Sequence, residues 1–387
     1  MSDRSIRMAI LDDGIHPGAC PLAGSFRIED DMSVSVLPDN AVLPDSHGST
    51  CARIVQLYTE LANVDVYSIQ ILQGDTLRGN VGRLLKAFEL CISMDIRLIH
   101  LSVGTYAYED FAKLEEAVKR LLCADRILVA ASGNRGTVTY PAYLPGVIGV
   151  KYHPELTDDE YIYCYDPFSR IHFQASSEHN LSLQGQQTET AVSNSYAAPL
   201  VTAKVLSCLK VNADADRDEI LRLLIENAGN QAPSQGSEPR PYPPVEIPVV
   251  LLSGFTAKRL ARLLGVLMDG LHREDYDARA AANLSGNRPW DETALPGILL
   301  GNETDKSDSN DLDAFIARMA WYFSCEIILV GVTSYLPPDR CGNVSLWIYG
   351  EESEEGQITA AEADGQILRA AELPDDKVFQ FMIDMLI

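Results

Sequence analysis

The sequence predicts an α/β fold: a parallel sheet with helices on both faces, followed by a smaller C-terminal α/β domain. Three observations predict it. Short apolar runs alternate with amphipathic stretches of helical period through the N-terminal part of the chain. A stretch rich in Pro, Ser and Gly (233–246) interrupts that alternation. A new strand–helix alternation then begins at Ile247. The expected organisation is therefore a large domain over 1–232, a linker over 233–246 and a smaller domain over 247–387.

The elements follow in order. Met8 to Leu11 is a short apolar run that reads as a buried parallel strand ending at Asp12. Val64 to Ile69 reads as a second strand. Asn80 can cap a helix that carries Leu84, Leu85, Phe88 and Cys91 on one face. Ile96 to Leu101 is a third strand. Asp110 opens a helix with Phe111, Leu114, Val118, Leu121 and Leu122 at helical spacing. Ile127–Ala130 and Val147–Val150 are the fourth and fifth strands. A helix is expected from about Asp216 to Ala228. Beyond the linker come a strand (Ile247–Leu252), an amphipathic helix (Thr256–Leu271), a polar, Gly-rich loop (Ser285–Asn310), a helix (Asp311–Phe323) and strands at Ile327–Val332 and Val344–Tyr349. In such a sheet, functional residues belong at the carboxyl ends of the strands. Asp12, the Ser102-Val103-Gly104 stretch and Asn134 all fall there.

Composition narrows the function. Apolar residues make up 46% and charged residues 22%, as in ordinary globular proteins. Asp and Glu total 55 against 31 Lys and Arg, a net charge of -24 that repels nucleic acid and anionic membranes. No run approaches the ~18 apolar residues of a membrane span. The N-terminus has no apolar segment followed by a small-residue cleavage site. The eight cysteines form no Cys-x-x-Cys pair and read as reduced thiols. These features point to a cytoplasmic protein with no cofactor and no metal site. Ser253-Gly254-Phe255-Thr256 joins a strand to a helix but lacks the Gly-Lys-Ser/Thr of a phosphate loop, so nucleotide binding is not expected.

Four motifs carry residues suited to nucleophilic chemistry. Asp12 closes the first strand in Ala9-Ile10-Leu11-Asp12-Asp13-Gly14. His47 stands in Asp45-Ser46-His47-Gly48-Ser49-Thr50, ahead of a helical pattern from Thr50 to Tyr58. Asn134 follows the fourth strand in Val129-Ala130-Ala131-Ser132-Gly133-Asn134. Ser195 stands in Ser193-Asn194-Ser195-Tyr196-Ala197-Ala198-Pro199. A serine hydroxyl is a poor nucleophile at neutral pH. It needs a base within hydrogen-bond reach, and that base needs a third group to fix its tautomer. Proline belongs in the first turn of a helix, so Pro199 places the helix start near Asn194 or Ser195. Ser195 is then at a helix N-terminus, where free N–H groups favour a developing oxyanion. His100, in a strand, reads as a satisfied core or edge residue. His16, His153, His172, His179 and His272 read as surface or loop residues.

The order of these motifs resembles that of the subtilisin-like serine proteases (subtilases) over about residues 6 to 230. The resemblance implies a subtilisin-like fold and peptide-bond hydrolysis by Asp12, His47 and Ser195, with Asn134 as the side-chain oxyanion donor. The family pattern of Asp, then Ser or Thr, then Gly selects Asp12 and leaves Asp13 as a departure. The family run His-Gly-Thr-His-Val-Ala-Gly is here His47-Gly48-Ser49-Thr50-Cys51-Ala52-Arg53, and Gly-Thr-Ser-Met-Ala-x-Pro has become Ser193 to Pro199. Leu101-Ser102-Val103-Gly104 is similar to the family's Met-Ser-Leu-Gly. By that likeness Ser102, Val103 and Gly104 form an edge that pairs with the substrate backbone and walls the first specificity pocket. Ala131, Ser132 and Gly133 form the opposite wall, with Arg135 at the rim and Thr139 at the base. Arg135 and Thr139 hint at an anionic or small side chain before the scissile bond. Cys51, one helical turn after His47, matches a Cys of the proteinase K-like members.

The function implied is a cytoplasmic serine endopeptidase that works through an acyl-enzyme. Limited proteolysis, such as leader-peptide removal from a precursor peptide, is the expected task. A peptide or protein substrate is the expected partner, and nucleic acid and membrane are not. A catalytically inactive, peptide-binding pseudoprotease is the alternative. The C-terminal domain lies outside the resemblance and reads as a docking or structural unit.

Overall fold

The computed structural model describes residues 5–38, 42, 45–73, 78–134, 137–165, 170–183, 186–229, 242–274, 276–283, 298–300, 309–323, 325–334, 336, 344–350, 366–369 and 374–386. The chain divides into two compact units, Met1–Ser237 and Glu238–Ile387.

The first unit begins with β1 (Ile6–Asp12), β2 (Gly24–Ile28), β3 (Val34–Val36), α1 (His47–Tyr58), β4 (Val64–Gln70), β5 (Leu72–Gln73) and β6 (Arg78–Gly79). Then come α2 (Val81–Ser93), β7 (Leu98–Leu101), α3 (Phe111–Cys123), β8 (Ile127–Ala131), β9 (Ile148–Tyr152), β10 (Tyr161–Tyr163) and β11 (Ile171–Ala175). β12 (Asn180–Leu183), β13 (Gln186–Glu189), α4 (Asn194–Val211) and α5 (Arg217–Glu226) complete it. Nine strands form one sheet in the order β10-β11-β9-β8-β7-β1-β4-β2-β3. The strands from β11 to β2 run parallel, and β10 and β3 are antiparallel edges. β12 and β13 form a separate hairpin.

β1 is central because its sequence allows burial from both faces. Met8 to Asp12 are each at most 1% exposed, as a parallel strand sandwiched between helices requires. Met8 and Ile10 share a core with Val129 of β8, Val55 of α1, Leu200 and Val201 of α4 and Leu224 of α5. α2 and α3 pack against each other, and α2 also touches β1 and β2, with Leu84, Phe88, Leu114, Val118 and Leu121 buried. The parallel sheet with helices on both faces is thus as predicted. β4 lies on one side of β1 and β7 on the other, so the strand order reverses at β1. Such a reversal opens a crevice at the strands' carboxyl ends, and Asp12 stands at it.

Helix boundaries follow the caps. Asn80 accepts from Gly82 N–H, and Asp216 from Glu219 N–H, which moves the start of α5 one residue past the expected Asp216. Three expectations about histidine are corrected. His153, His172 and His179 are at most 8% exposed rather than on the surface. His179 Nε2 donates to Tyr196 O at 2.9 Å and its Nδ1 lies 2.8 Å from Tyr58 Oη. His153 Nδ1 accepts from Glu155 N–H, and His172 is within β11. His172 Nδ1 accepts from Gly149 N–H at 3.4 Å, so each ring has at least one partner, while His153 Nε2 is buried without one.

The second unit contains β14 (Val249–Ser253), α6 (Ala257–Arg273), β15 (Ala278–Asn283), β16 (Ile298–Leu300), α7 (Ser309–Phe323), β17 (Ile327–Val332), β18 (Leu346–Tyr349), β19 (Gln366–Arg369) and α8 (Asp375–Leu386). Six parallel strands form its sheet in the order β16-β15-β17-β14-β18-β19. Leu260, Leu263, Leu264 and Leu267 of α6 are fully buried, as their spacing predicts. Trp347 Nε1 donates to Ser253 Oγ at 2.9 Å inside this core. The segment expected to be one loop from Ser285 to Asn310 contains β16 and the start of α7, because Ile298–Leu300 pairs with Ala280–Ala282. The rest of that loop lies outside the described residues.

Among the described residues no helix is long and apolar enough to cross a membrane, and the described cysteines form no disulfide.

Candidate active site

Asp12 is the last residue of β1 and is fully buried. A buried carboxylate must be bonded to be tolerated. Its Oδ1 accepts from Asp13 N–H at 2.9 Å, and its Oδ2 lies 2.8 Å from His47 Nδ1. A carboxylate can only accept, so Nδ1 carries the proton and Nε2 is left as an acceptor. Nε2 faces Ser195 Oγ at 3.0 Å. Residues far apart in the chain thus meet in one relay, Asp12–His47–Ser195.

His47 is the first residue of α1, three residues earlier than the helical pattern suggested. Ser46 caps the helix by accepting from Ser49 N–H. The unexpected Asp13 has a positional role: Oδ2 accepts from His47 N–H at 3.0 Å and Oδ1 from Gly48 N–H at 2.8 Å. Burial and the neighbouring Asp12 charge raise its pKa, while those two N–H groups oppose the rise. Gly48 permits the approach of α1 to β1: a Cβ there would lie 2.5 Å from Gly14 O and 3.1 Å from Asp12 Cβ. The Tyr196 ring stacks on the imidazole with centroids 5.0 Å apart and planes at 23°.

Burial works against a charged His47 ring, yet its pKa is held above the ordinary value of 6.5. Cys51 would favour the cation only as a thiolate, and burial keeps that thiol protonated. The Asp12 carboxylate is therefore the partner that matters. Cys51 is fully buried, with Sγ 3.7 Å from His47 Nδ1 and 3.4 Å from Ser102 Oγ. Asp12, His47 and Cys51 could together hold a soft metal ion. Such an ion would break the His47–Asp12 bond, so it would inhibit rather than assist.

Ser195 is the second residue of α4. Pro199 lies inside that helix, beyond the first turn where it was expected. Its missing N–H would have bonded Ser195 O. That carbonyl is served instead by Ser102 Oγ at 3.3 Å and Cys51 Sγ at 3.8 Å. Ser193 caps α4: its Oγ accepts from Ser195 N–H at 3.2 Å and lies 2.7 Å from Ser195 Oγ. Asn134 Oδ1 accepts from Asn194 N–H at 2.8 Å and from Ser193 Oγ at 3.3 Å. The Asn194 side chain ties this corner together, donating to Gly133 O and accepting from Tyr152 N–H, each at 2.8 Å. Holding Oδ1 in this way orients the Asn134 amide and commits its Nδ2 to a donor role.

A pocket of about 130 Å³ opens beside Ser195. Ser102, Gly104, Ala131, Ser132, Gly133 and Asn134 line it. Thr139 also lines it, 4% exposed, and its Oγ1 accepts from Gly133 N–H at 2.9 Å. Val103 does not line it, and Arg135 lies outside the described residues. Tyr106 lines the pocket and was not foreseen; an aromatic residue two positions after Gly104 was the available signal. His100 is buried in β7, bonded to Thr202 Oγ1 at 2.8 Å and Ser102 Oγ at 2.7 Å. Burial pushes it down to about 4, so it stays neutral and is no rival base.

The sequence model of the subtilase family matches residues 3–241, well over half of the chain. No curated protein matches. A solved structure of a mutant of the protease domain of PatA is similar at 22% identity, covering 60% of this chain and 91% of that one, with a TM-score of 0.46. The prenylagaramide maturation protease PagA is similar at 21% identity, covering 59% and 84%, with a TM-score of 0.44. A lanthipeptide protease is similar at 14% identity, covering 59% and 81%, with a TM-score of 0.46.

Proposed function

Because the chain belongs to the subtilase family and is a serine peptidase, we propose that it is an endopeptidase in which Asp12, His47 and Ser195 act as the triad and Asn134 as the oxyanion donor. One observation carries the reading: Asp12 Oδ2 to His47 Nδ1 at 2.8 Å and His47 Nε2 to Ser195 Oγ at 3.0 Å, in a single chain.

Ser195 Oγ attacks the scissile carbonyl carbon as its proton passes to His47 Nε2. The carbonyl π pair moves onto oxygen. Asn134 Nδ2 and Ser195 N–H receive the oxyanion, and Ser193 Oγ releases the latter to do so. Collapse breaks the C–N bond, and the amine leaves with the proton from His47. Water then attacks the ester by the same route and restores Ser195. Asp12 keeps the imidazole in the required tautomer and stabilises its cation without taking the proton.

We place this activity in limited proteolysis, with removal of a leader from a precursor peptide as the model task. A pocket beside Ser195, lined by Ser102, Gly133 and Thr139 among others, supports selectivity over general turnover. A reducing, cytoplasmic setting is supported by buried Cys20, Cys51, Cys91 and Cys325 in no disulfide. The C-terminal unit, which has a sheet and core of its own, is assigned to docking or bracing.

A fluorophosphonate probe tests the triad. Ser195 is expected to be labelled, and Ser195→Ala to lose labelling and about 10⁶-fold in turnover. An unlabelled, non-cleaving wild-type protein that still binds peptide would establish the pseudoprotease instead.

A further inference from the structure

Resting on the peptidase reading, we propose that His100 is a positioning residue: through the Ser102 hydroxyl it holds the first turn of α4, and with it the Ser195 nucleophile, against the end of β7.

The case starts from Pro199. A helix carbonyl ordinarily takes the N–H four residues on, and Ser195 O has none because Pro199 lacks it. Two donors are in reach, Ser102 Oγ at 3.3 Å and Cys51 Sγ at 3.8 Å. A thiol is the weaker donor, and here it is also the more distant. The Ser102 proton therefore goes to Ser195 O. A hydroxyl has one proton, so its oxygen must accept from His100 Nε2, 2.7 Å away. Burial keeps His100 neutral, and a neutral imidazole carries one N–H. Nδ1 then accepts, and Thr202 Oγ1 at 2.8 Å is its donor. Thr202 Oγ1 also lies 3.0 Å from Ala198 O, but that carbonyl already has the Thr202 N–H within the helix. The protons thus point from Thr202 to His100, from His100 to Ser102 and from Ser102 to Ser195 O.

This relay grips α4 at two points. Ser195 and Thr202 stand about two turns apart on that helix, and Pro199, where the helix ladder is broken, lies between them. The Ser193 cap and the Asn194 bonds hold the first turn from its start. The relay holds it from the β7 side, across the break. His100 and Thr202 are both fully buried. Apolar side chains would fill that space without needing partners, so packing alone does not account for a polar pair there.

The test has two arms. Nitrogen NMR of isotope-labelled histidine reports which ring nitrogen carries the proton. It is expected on Nε2 of His100, and a proton on Nδ1 overturns the proposal. The second arm reads kcat and the rate of fluorophosphonate labelling, with KM separately because Ser102 also lines the pocket. Ser102→Ala is expected to lower kcat and labelling by about tenfold or more. His100→Asn, whose amide ends near the place of Nδ1, is expected to fall with it. His100→Gln, whose amide reaches the place of Nε2, is expected to keep most of the wild-type kcat. His100→Asn and Ser102→Ala combined should cost no more than either alone. Full kcat in Ser102→Ala overturns the proposal even if the His100 variants do not fold. So do equal rates in folded His100→Gln and His100→Asn, or additive losses in the double variant. A wild-type protein that neither labels nor cleaves removes the peptidase reading, whereas the wrong tautomer in an active enzyme removes only the relay.

Discussion

Gly48→Ala tests how closely α1 must approach β1. A methyl group at that position would sit 2.5 Å from Gly14 O and 3.1 Å from Asp12 Cβ. Even a tight contact of 3.0 Å needs about 0.5 Å more room, and the obstacle is backbone with no side-chain freedom to give way. In an open helix the same change would stabilise by up to about 1 kcal/mol. Here overpacking at about 1–3 kcal/mol outweighs that gain. The displacement falls between Asp12 and His47, whose 2.8 Å bond sets the ring. A 1 Å misplacement of catalytic groups costs on the order of 10²-fold, so half of it costs about tenfold in kcat/KM. The assay is kcat/KM with a short peptide, together with the urea midpoint. A variant with full kcat/KM and a raised midpoint would show that the helix approach is slack and refute the reasoning.

Two further outcomes are expected. His47 must be neutral to accept the Ser195 proton and its pKa is raised, so kcat/KM should fall on acidification with a midpoint above pH 6.5. A profile flat down to pH 5.5 would contradict this. Asn134→Ala should lower kcat by about 10²–10³ with little change in KM, measured by steady-state kinetics; a pure KM effect would remove Asn134 from the oxyanion role.

Much of this protein was legible in its sequence. The run Met8 to Asp12 is apolar enough to be a central strand, and its last residue had to fall at the sheet's carboxyl end. Asn80 and Asp216 cap helices because their side chains reach N–H groups only a few residues away. The residues proposed as the triad could be named because each sits in a local motif. β12 and β13 were missed because they are short and mostly polar, and β16 because three residues are too few to show a period; pairing makes them strands, β12 with β13 and β16 with β15.

What the sequence determined by itself was local: which segments are apolar, where helices can start, and which side chains are of a kind suited to nucleophilic chemistry. What the tertiary structure decided was everything set by approach between distant segments. Asp13, just after β1, came to bind the first two N–H groups of α1, beside the Ser46 cap, because the fold brings the end of β1 to the start of that helix. Pro199 could stand beyond the first turn of α4 because Ser102 and Cys51, from other elements, serve the carbonyl it orphans. Tyr106 came to line the pocket beside Ser195 from a segment that the Thr105–Tyr140 bridge ties down. Capping and periodicity act over a few residues and leave a mark on the chain. Polar satisfaction and steric closure act through space, so only the folded arrangement reveals them.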